Sequence, residues 1–225
     1  MERVVLITGG NRGIGLATAK TFASKGNKVA ITYRETPPDG IEELGIHSFS
    51  CDVTDQEHVN RAFKEVEETL GTVEILVANA GITRDALTAR TTDQDFSEVL
   101  DTNLTGAFRT AKQALRGMMK NRWGRIIFVS SLSGRIGQVG QSSYAASKSA
   151  LLGLSRSLAK EYASRNITVN VVAPGAVKTD MLEKLSDDQI KEYIESIPLG
   201  RLGEPQEIGE IIAFLSSENA SYITG

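Results

Sequence analysis

The sequence predicts an α/β protein built on a doubly wound parallel sheet with helices on both faces, in one domain spanning residues 1–225. Two observations carry this reading. Six short β-branched runs alternate with longer stretches of helical periodicity along the chain, which is the pattern of βαβ units. The runs are apolar at consecutive positions, as strands are when helices cover both faces of their sheet. No composition break, internal repeat or low-complexity segment interrupts the alternation, so a second domain has no place to begin.

The elements follow in order. A strand over 4–8 leads through a glycine-rich turn into a helix over 14–25. The second strand, 28–33, runs into a crossover at 35–45 that holds Pro37-Pro38 and Asp39-Gly40, residues that break a helix and leave a short loop. The third strand is expected at 47–51, then a helix at 55–70, a strand at 74–78, one long helix at 93–120, a strand at 125–130, a helix at 143–162 and a strand at 168–173. All six strands read as buried on both faces. The last helix, 204–217, opens on Glu204-Pro205, proline being suited to a first helical turn. Before it, 179–198 has helical pattern but no following strand, an excursion that reads as a substrate lid.

Composition narrows the class. The chain is 40% hydrophobic, 24% charged and 6% aromatic, which excludes disorder, collagen-like repeats and a membrane bundle. Its longest apolar run, 211–215, falls far short of the roughly 20 residues a spanning helix needs. With 25 basic and 28 acidic residues the net charge is -3, too balanced for wholesale nucleic-acid binding. Cys51 is the single cysteine and a strand-like run begins soon after Met1, so neither an internal disulfide nor a signal peptide is expected and the cytoplasm is the expected compartment. His47 and His58 are not spaced with Cys51 as metal ligands, so no metal is expected. No Gly-x-Ser-x-Gly elbow supports hydrolysis.

Thr8, Gly9, Gly10, Asn11, Arg12, Gly13, Ile14 and Gly15 lie between the first strand and the first helix, the context of a dinucleotide site. Glycines let the backbone approach a pyrophosphate, and the helix start supplies amide donors and a positive dipole end. A turn that only packs helix on strand is the competing reading. The second strand ends at Arg34, where NAD proteins place a carboxylate. Arg34 and Arg12 favour the 2′-phosphate of NADP, with Glu35 as the counter-argument.

Tyr144 and Lys148 are four residues apart on a helical stretch and share a face. An ammonium beside a phenol lowers the phenol's pKa toward that of a working acid or base, although a solvent-facing pair would have the same spacing. Ser131 ends the fifth strand at the carboxyl edge, where α/β sheets bind ligands, with Ser130 and Ser133 as neighbouring candidates. Asn79-Ala80-Gly81 and Pro174-Gly175 end two other strands at the same edge.

These elements together resemble the short-chain dehydrogenases/reductases: Thr8-Gly9-x-x-x-Gly13-x-Gly15, Asp52-Val53, Asn79-Ala80-Gly81, Asn103, Ser131, Tyr144-x-x-x-Lys148 and Pro174-Gly175 with Thr179. The stretches at 80–85, 103–106, 168–175 and 221–225 are similar to those of bacterial β-ketoacyl-acyl-carrier-protein (ACP) reductases. The resemblance implies a Rossmann-type sheet of order 3-2-1-4-5-6 and NADPH-dependent reduction of a β-keto group in fatty-acid elongation. It further implies Tyr144 as proton donor, Ser131 as holder of the carbonyl oxygen, Lys148 on the ribose and the phenol, and Asn103 as anchor of a relay water. Asp52 and Val53 would meet the adenine, Val177 and Thr179 the carboxamide. Arg116, Lys120, Arg122 and Arg125 gather where the long helix ends, a basic group that either complements the helix C-terminus or docks the acidic ACP, for which the resemblance implies Arg122 and Arg165. A homotetramer or homodimer is implied, as is a further strand beyond Gly225, without which the sheet edge would be exposed. A small-ketone or acetoacetyl-CoA reductase, and an NADP-binding sensor without turnover, are the alternatives.

Overall fold

The computed structural model of the chain describes residues 2–180 and 187–225. At its centre lies a six-stranded parallel sheet in the order β3-β2-β1-β4-β5-β6. The strands are β1 (Val4–Ile7), β2 (Lys28–Tyr33), β3 (Ile46–Ser50), β4 (Ile75–Ala78), β5 (Gly124–Val129) and β6 (Ile167–Val172).

Successive strand residues point to opposite faces, so an unbroken apolar strand feeds two cores. Leu6, Ala30, Leu76, Phe128 and Val169 face one of them. There they meet Val59 and Phe63 of α2 (Gln56–Thr69), Met118 of α4 (Gly106–Asn121) and Leu151 of α6 (Ser142–Tyr162). Val5, Ile7, Ile31, Val77 and Ile127 face the other, under Phe22 of α1 (Gly13–Ser24) and Ile212 of α8 (Pro205–Leu215). β3 departs from the expectation of burial on both faces. It closes one edge of the sheet, and its His47 and Ser50 are exposed.

Local chemistry sets the helix starts. Asp55 caps α2 by accepting from the Glu57 and His58 amides at 2.7 and 3.2 Å. The Glu204 amide donates to Glu207 at 2.8 Å where α8 begins, and the Arg201 guanidinium beside Glu207 holds that carboxyl down at about 2. The crossover at 35–45 is a loop with one short 3-10 turn, Glu42–Leu44.

The single helix expected over 93–120 is divided. α3 (Asp93–Leu100) passes into a π-helical turn, Asp101–Thr105, before α4 begins. A π turn inserts an extra residue into the helical path, and here Asn103, 1% exposed, is drawn inward by bonds that no local pattern encodes. Within 179–198, α7 (Asp187–Glu195) is helical, while 181–186 lies outside the described residues. The excursion leaves through a narrow neck, where the Lys178 amide donates to Gly203 and the Gly203 amide to Ala176, each at 2.9 Å.

Arg125 does not join the basic surface group expected of it. It lies on an interior strand and is fully buried, its guanidinium 4.4 Å from the Trp123 ring centroid. It donates to the carbonyls of Gly124 and Asn166 at 2.8 and 3.1 Å. Burial pushes its pKa down, and Glu218, 3.5 Å away, opposes that shift. Arg3 also lies over Trp123, at 3.8 Å, and the indole donates to Glu218 at 3.0 Å. On β6, Val169 accepts from the Gly225 amide at 2.9 Å and Asn170 donates to Ile223 at 2.8 Å. The final residues therefore cover part of the edge expected to be exposed. Among the described residues no helix is long and apolar enough to cross a membrane.

Candidate active site

The first turn is a set of close approaches. Gly9 and Gly13 adopt φ of +61° and +51°, a region that costs an L side chain about 1–2 kcal/mol. A Cβ on Gly15 would lie 2.3 Å from the Gly9 carbonyl and 2.6 Å from the Asn79 amide nitrogen. That amide donates to the carbonyls of Thr8 and Gly9 at 3.0 and 2.9 Å. The Thr8 hydroxyl in turn accepts from the amides of Asn79 and Ala80 at 3.0 and 3.1 Å. Asn79 and Ala80 thus tie the end of β4 to the turn after β1.

At the mouth of this turn, Arg12 occupies the N-cap of α1 with no side-chain cap, and no acidic residue stands in the first turn. The leading amides of α1 and the positive end of its dipole are therefore available to an anion. Ile14 is partly buried against the core beneath them. Asn11 donates to the Thr36 carbonyl at 3.3 Å, joining the turn to the end of β2. Arg34 and Arg12 both reach solvent beside this end. Arg34 is paired with Glu35 at 2.6 Å, and Arg12 lies 3.7 Å from Asp180. Asp52 accepts from the Thr54 amide and hydroxyl at 2.9 and 2.7 Å, while Val53 is buried against Gly106. Thr179 reaches the turn from the far side, its methyl 3.2 Å from where a Gly13 Cβ would stand, and Val177 is buried behind it. The Pro174 carbonyl accepts from the Leu132 amide at 2.8 Å, and a Cβ on Gly175 would meet open space.

Four further side chains converge at the carboxyl ends of β4 and β5. Ser131 faces the Tyr144 phenol and acts to lower its pKa. Lys148 is buried with its ammonium donating to the Val129 carbonyl at 2.8 Å and lying 5.7 Å from the Tyr144 ring centroid. The Asn103 carboxamide exchanges bonds with Ile82, accepting from its amide at 2.8 Å and donating to its carbonyl at 3.0 Å. Its other proton goes to the Ser147 hydroxyl at 3.0 Å, which donates to the Tyr144 carbonyl at 2.7 Å. A Cβ on Gly81 would stand 3.2 Å from Asn103 Oδ1 and 3.3 Å from Lys148 Nζ, so any larger residue there would press on both groups.

The structure separates the three serines that spacing left open. Ser130 turns to the Lys148 carbonyl, and Ser133 begins a short helix, α5 (Ser133–Ile136), its amide donating to Ser131 at 3.2 Å. Ser131 alone of the three meets the phenol. The expected lowering of the Tyr144 pKa is reversed here. Burial pushes the phenol up, the nearby Ser131 hydroxyl opposes it, and the charges of Asp85 and Tyr193 add to the rise. Burial alone moves Lys148, down to about 8.

Sequence reasoning missed Ile82, Gly134 and Ser147, and it named Ser130 only as an alternative to Ser131, because their contributions lie in contacts between distant segments. Arg122 and Arg165 are not brought to the site. They precede β5 and β6 at the amino edge of the sheet, whereas Ser131 follows β5, and a strand of this length separates the two edges by about 20 Å. Among the described residues no cluster of three or more His, Cys, Asp or Glu could hold a metal ion.

Comparison with known proteins finds similarity along nearly the whole chain. A family model described as Enoyl-(Acyl carrier protein) reductase matches residues 9–225. The chain is 48% identical to the 3-oxoacyl-[acyl-carrier-protein] reductase MabA of Mycobacterium tuberculosis, over 100% of this chain and 90% of the relative. It is 45% identical to the 3-oxoacyl-[acyl-carrier-protein] reductase FabG of Escherichia coli, over 99% of this chain and 93% of the relative.

Proposed function

This chain belongs to the short-chain dehydrogenase/reductase family, and from that premise we propose that it is an NADPH-dependent reductase of β-ketoacyl thioesters carried on ACP. Near-full-length identity to named 3-oxoacyl-ACP reductases supports the reaction. The observation that carries it is the gathering of Ser131, Tyr144 and Lys148 at the same carboxyl edge of the sheet as the uncapped start of α1. On this reading the whole chain, 1–225, acts as one domain and 179–198 covers the substrate.

The chain's own groups divide the work. Ser131 and Tyr144 present two hydroxyls to one carbonyl oxygen, and charge developing on that oxygen strengthens both bonds. Tyr144 then gives its proton to the oxygen. An alkoxide is far more basic than any phenolate, so the raised pKa of Tyr144 does not prevent the transfer. Lys148 stabilises the phenolate left behind and reaches the ribose hydroxyls. Asn103, with both amide protons and one acceptor position engaged, holds the π turn against α6, and the proton relay passes at that turn.

The site fits the dinucleotide. The open α1 amides and the glycine cradle at Gly9, Gly13 and Gly15 suit a pyrophosphate, with Thr8, Asn11 and Ile14 shaping the turn. Asp52, Val53, Asn79, Ala80 and Gly81 line the adenine and ribose side, and Pro174, Gly175, Val177 and Thr179 the nicotinamide side. When bound, NADPH supplies the hydride. Arg12 and Arg34 take the 2′-phosphate, Arg34 exchanging its present pairing with Glu35 for it. Replacing Arg34 with alanine is therefore expected to raise the KM for NADPH by about tenfold, the loss of one charge-assisted bond, while the KM for NADH stays within about twofold. Steady-state kinetics with both nucleotides decides it, and equal change in the two sinks the assignment.

Carrier recognition is assigned to Arg122 and Arg165. Because these lie at the far edge from Tyr144, a homodimer or homotetramer is the form in which one chain's arginines could attend another's site. Exposed Phe96 and Phe108 on α3 and α4, and Ile211 and Phe214 on α8, give two apolar faces for such an assembly.

The test is NADPH oxidation with acetoacetyl-ACP, acetoacetyl-CoA and a trans-2-enoyl thioester, followed across pH. The expected result is turnover of the ketones, fastest with ACP, and none of the enoyl compound. Because the Lys148 pKa is depressed, its ammonium is present below about 8 and lost above, so kcat/KM should fall as pH rises through that value. Reduction of the enoyl substrate alone would transfer the chain to the other chemistry named by its family model, and equal rates with CoA would remove the carrier from the proposal.

A further inference from the structure

We propose that Ser130 is a positioning residue for this reaction: its hydroxyl, bonded to the Lys148 main chain, holds α6 at the distance from β5 that lets Ser131 meet Tyr144. The proposal rests on the roles given above to Tyr144 and Lys148.

Ser130 is 4% exposed and donates to the Lys148 carbonyl at 2.8 Å. Lys148 returns the contact, its ammonium donating to the Val129 carbonyl at 2.8 Å. Two bonds of opposite direction thus join adjacent residues at the end of β5 to one residue of α6. The Lys148 carbonyl lies well inside α6, where the helix supplies its own amide partner. The Ser130 hydroxyl therefore fills no vacancy at a helix end. Its effect is to orient one element against another.

A second contact grips the same residue. A Cβ on Gly134 would lie 2.9 Å from both the Lys148 carbonyl carbon and the Ser149 amide nitrogen, so the start of α5 rests directly on the helix backbone. The segment 130–134 is pinned to Lys148 at both ends, with Ser131 between them. Within it the Ser133 amide donates to Ser131 Oγ at 3.2 Å, which fixes the hydroxyl and leaves its proton for the substrate carbonyl. The geometry of the hydroxyl pair is set by where 130 and 134 sit on Lys148. Strand residues 126–129 are apolar and buried, so alanine at 130 would suit packing equally well, and the hydroxyl is needed for alignment.

The groups that bear on the readout are few. No charged group contributes to the shift of Lys148, whereas Asp85 and Tyr193 face Tyr144. Ser130→Ala, Gly134→Ala and Lys148→Met are compared with the unaltered protein for kcat, KM, thermal midpoint and the pH dependence of kcat/KM. Ser130→Ala is expected to lower kcat roughly tenfold with both KM values within about twofold, the signature of an interaction felt in the transition state. Its alkaline limb should move up from about 8, because a less firmly seated ammonium is better hydrated. Gly134→Ala, which wedges α6 from the other side, should lower kcat in the same way. Wild-type kcat in Ser130→Ala overturns the proposal. So does a loss confined to the thermal midpoint with the limb unmoved, which would make the serine merely structural. Lys148→Met tests the underlying reading separately, since wild-type kcat there removes the catalytic assignment itself.

Discussion

Replacement of Tyr144 by phenylalanine is expected to lower kcat by about a thousandfold while leaving NADPH affinity within about threefold, the range set by removing a positioned proton donor. The ring keeps its packing and its place 5.7 Å from the Lys148 ammonium. What disappears is the proton and one of two hydroxyls on the carbonyl oxygen. A thousandfold corresponds to about 4 kcal/mol of barrier, more than a single neutral hydrogen bond supplies, so the size of the loss separates proton donation from simple orientation. Ser131→Ala, which removes the other hydroxyl and no proton donor, should cost less, about ten- to a hundredfold. Single-turnover NADPH oxidation measures both, and nucleotide fluorescence titration checks binding. Activity above a tenth of the wild-type value in Tyr144→Phe would end its assignment as donor.

Gly15→Ala is expected to raise the dissociation constant for NADPH by about a hundredfold and to lower the thermal midpoint by roughly 3–10 °C, as overpacking of a rigid site does. The added methyl would stand 2.3 Å from the Gly9 carbonyl, 2.6 Å from the Asn79 amide and 3.0 Å from Gly10 Cα. None of these is the free end of a flexible chain. Two are backbone, and Asn79 is held by Thr8 and Gly9. The turn itself must move, and with it the amides that face the pyrophosphate. Calorimetry of nucleotide binding and thermal unfolding gives the two numbers. Unchanged affinity would mean that the turn packs helix on strand and nothing more.

How much of this was legible in the sequence depended on range. The apolar runs place the strands within one or two residues, because six such runs bounded by turn residues leave little freedom, and their order follows from the family resemblance. β3 was read as covered on both faces when its edge position exposes His47 and Ser50, since periodicity does not reveal which strand ends a sheet. The sequence reads Arg125 as surface charge, yet it is buried, because two of the groups that admit it, Asn166 and Glu218, come from distant segments. The break at Asp101–Thr105 was invisible for the same reason, as Asn103 answers to Ile82 and Ser147. Tyr144, Lys148 and Ser131 could be found by spacing and by position at a strand end. The Ser130 and Gly134 contacts that align them could not.

Trp123 is the only tryptophan in the chain, and its surroundings make it a built-in optical gauge. The indole is fixed by its bond to Glu218 and by two guanidiniums, at 3.8 and 4.4 Å, so its emission reports whether the segment that carries Glu218 is seated. Indole emission overlaps the absorption of a reduced nicotinamide, and Trp123 stands immediately before β5, about one strand length from the chemistry at the other end and so within energy-transfer range. Unlabelled protein can therefore report both nucleotide capture and the integrity of its opposite edge in one spectrum.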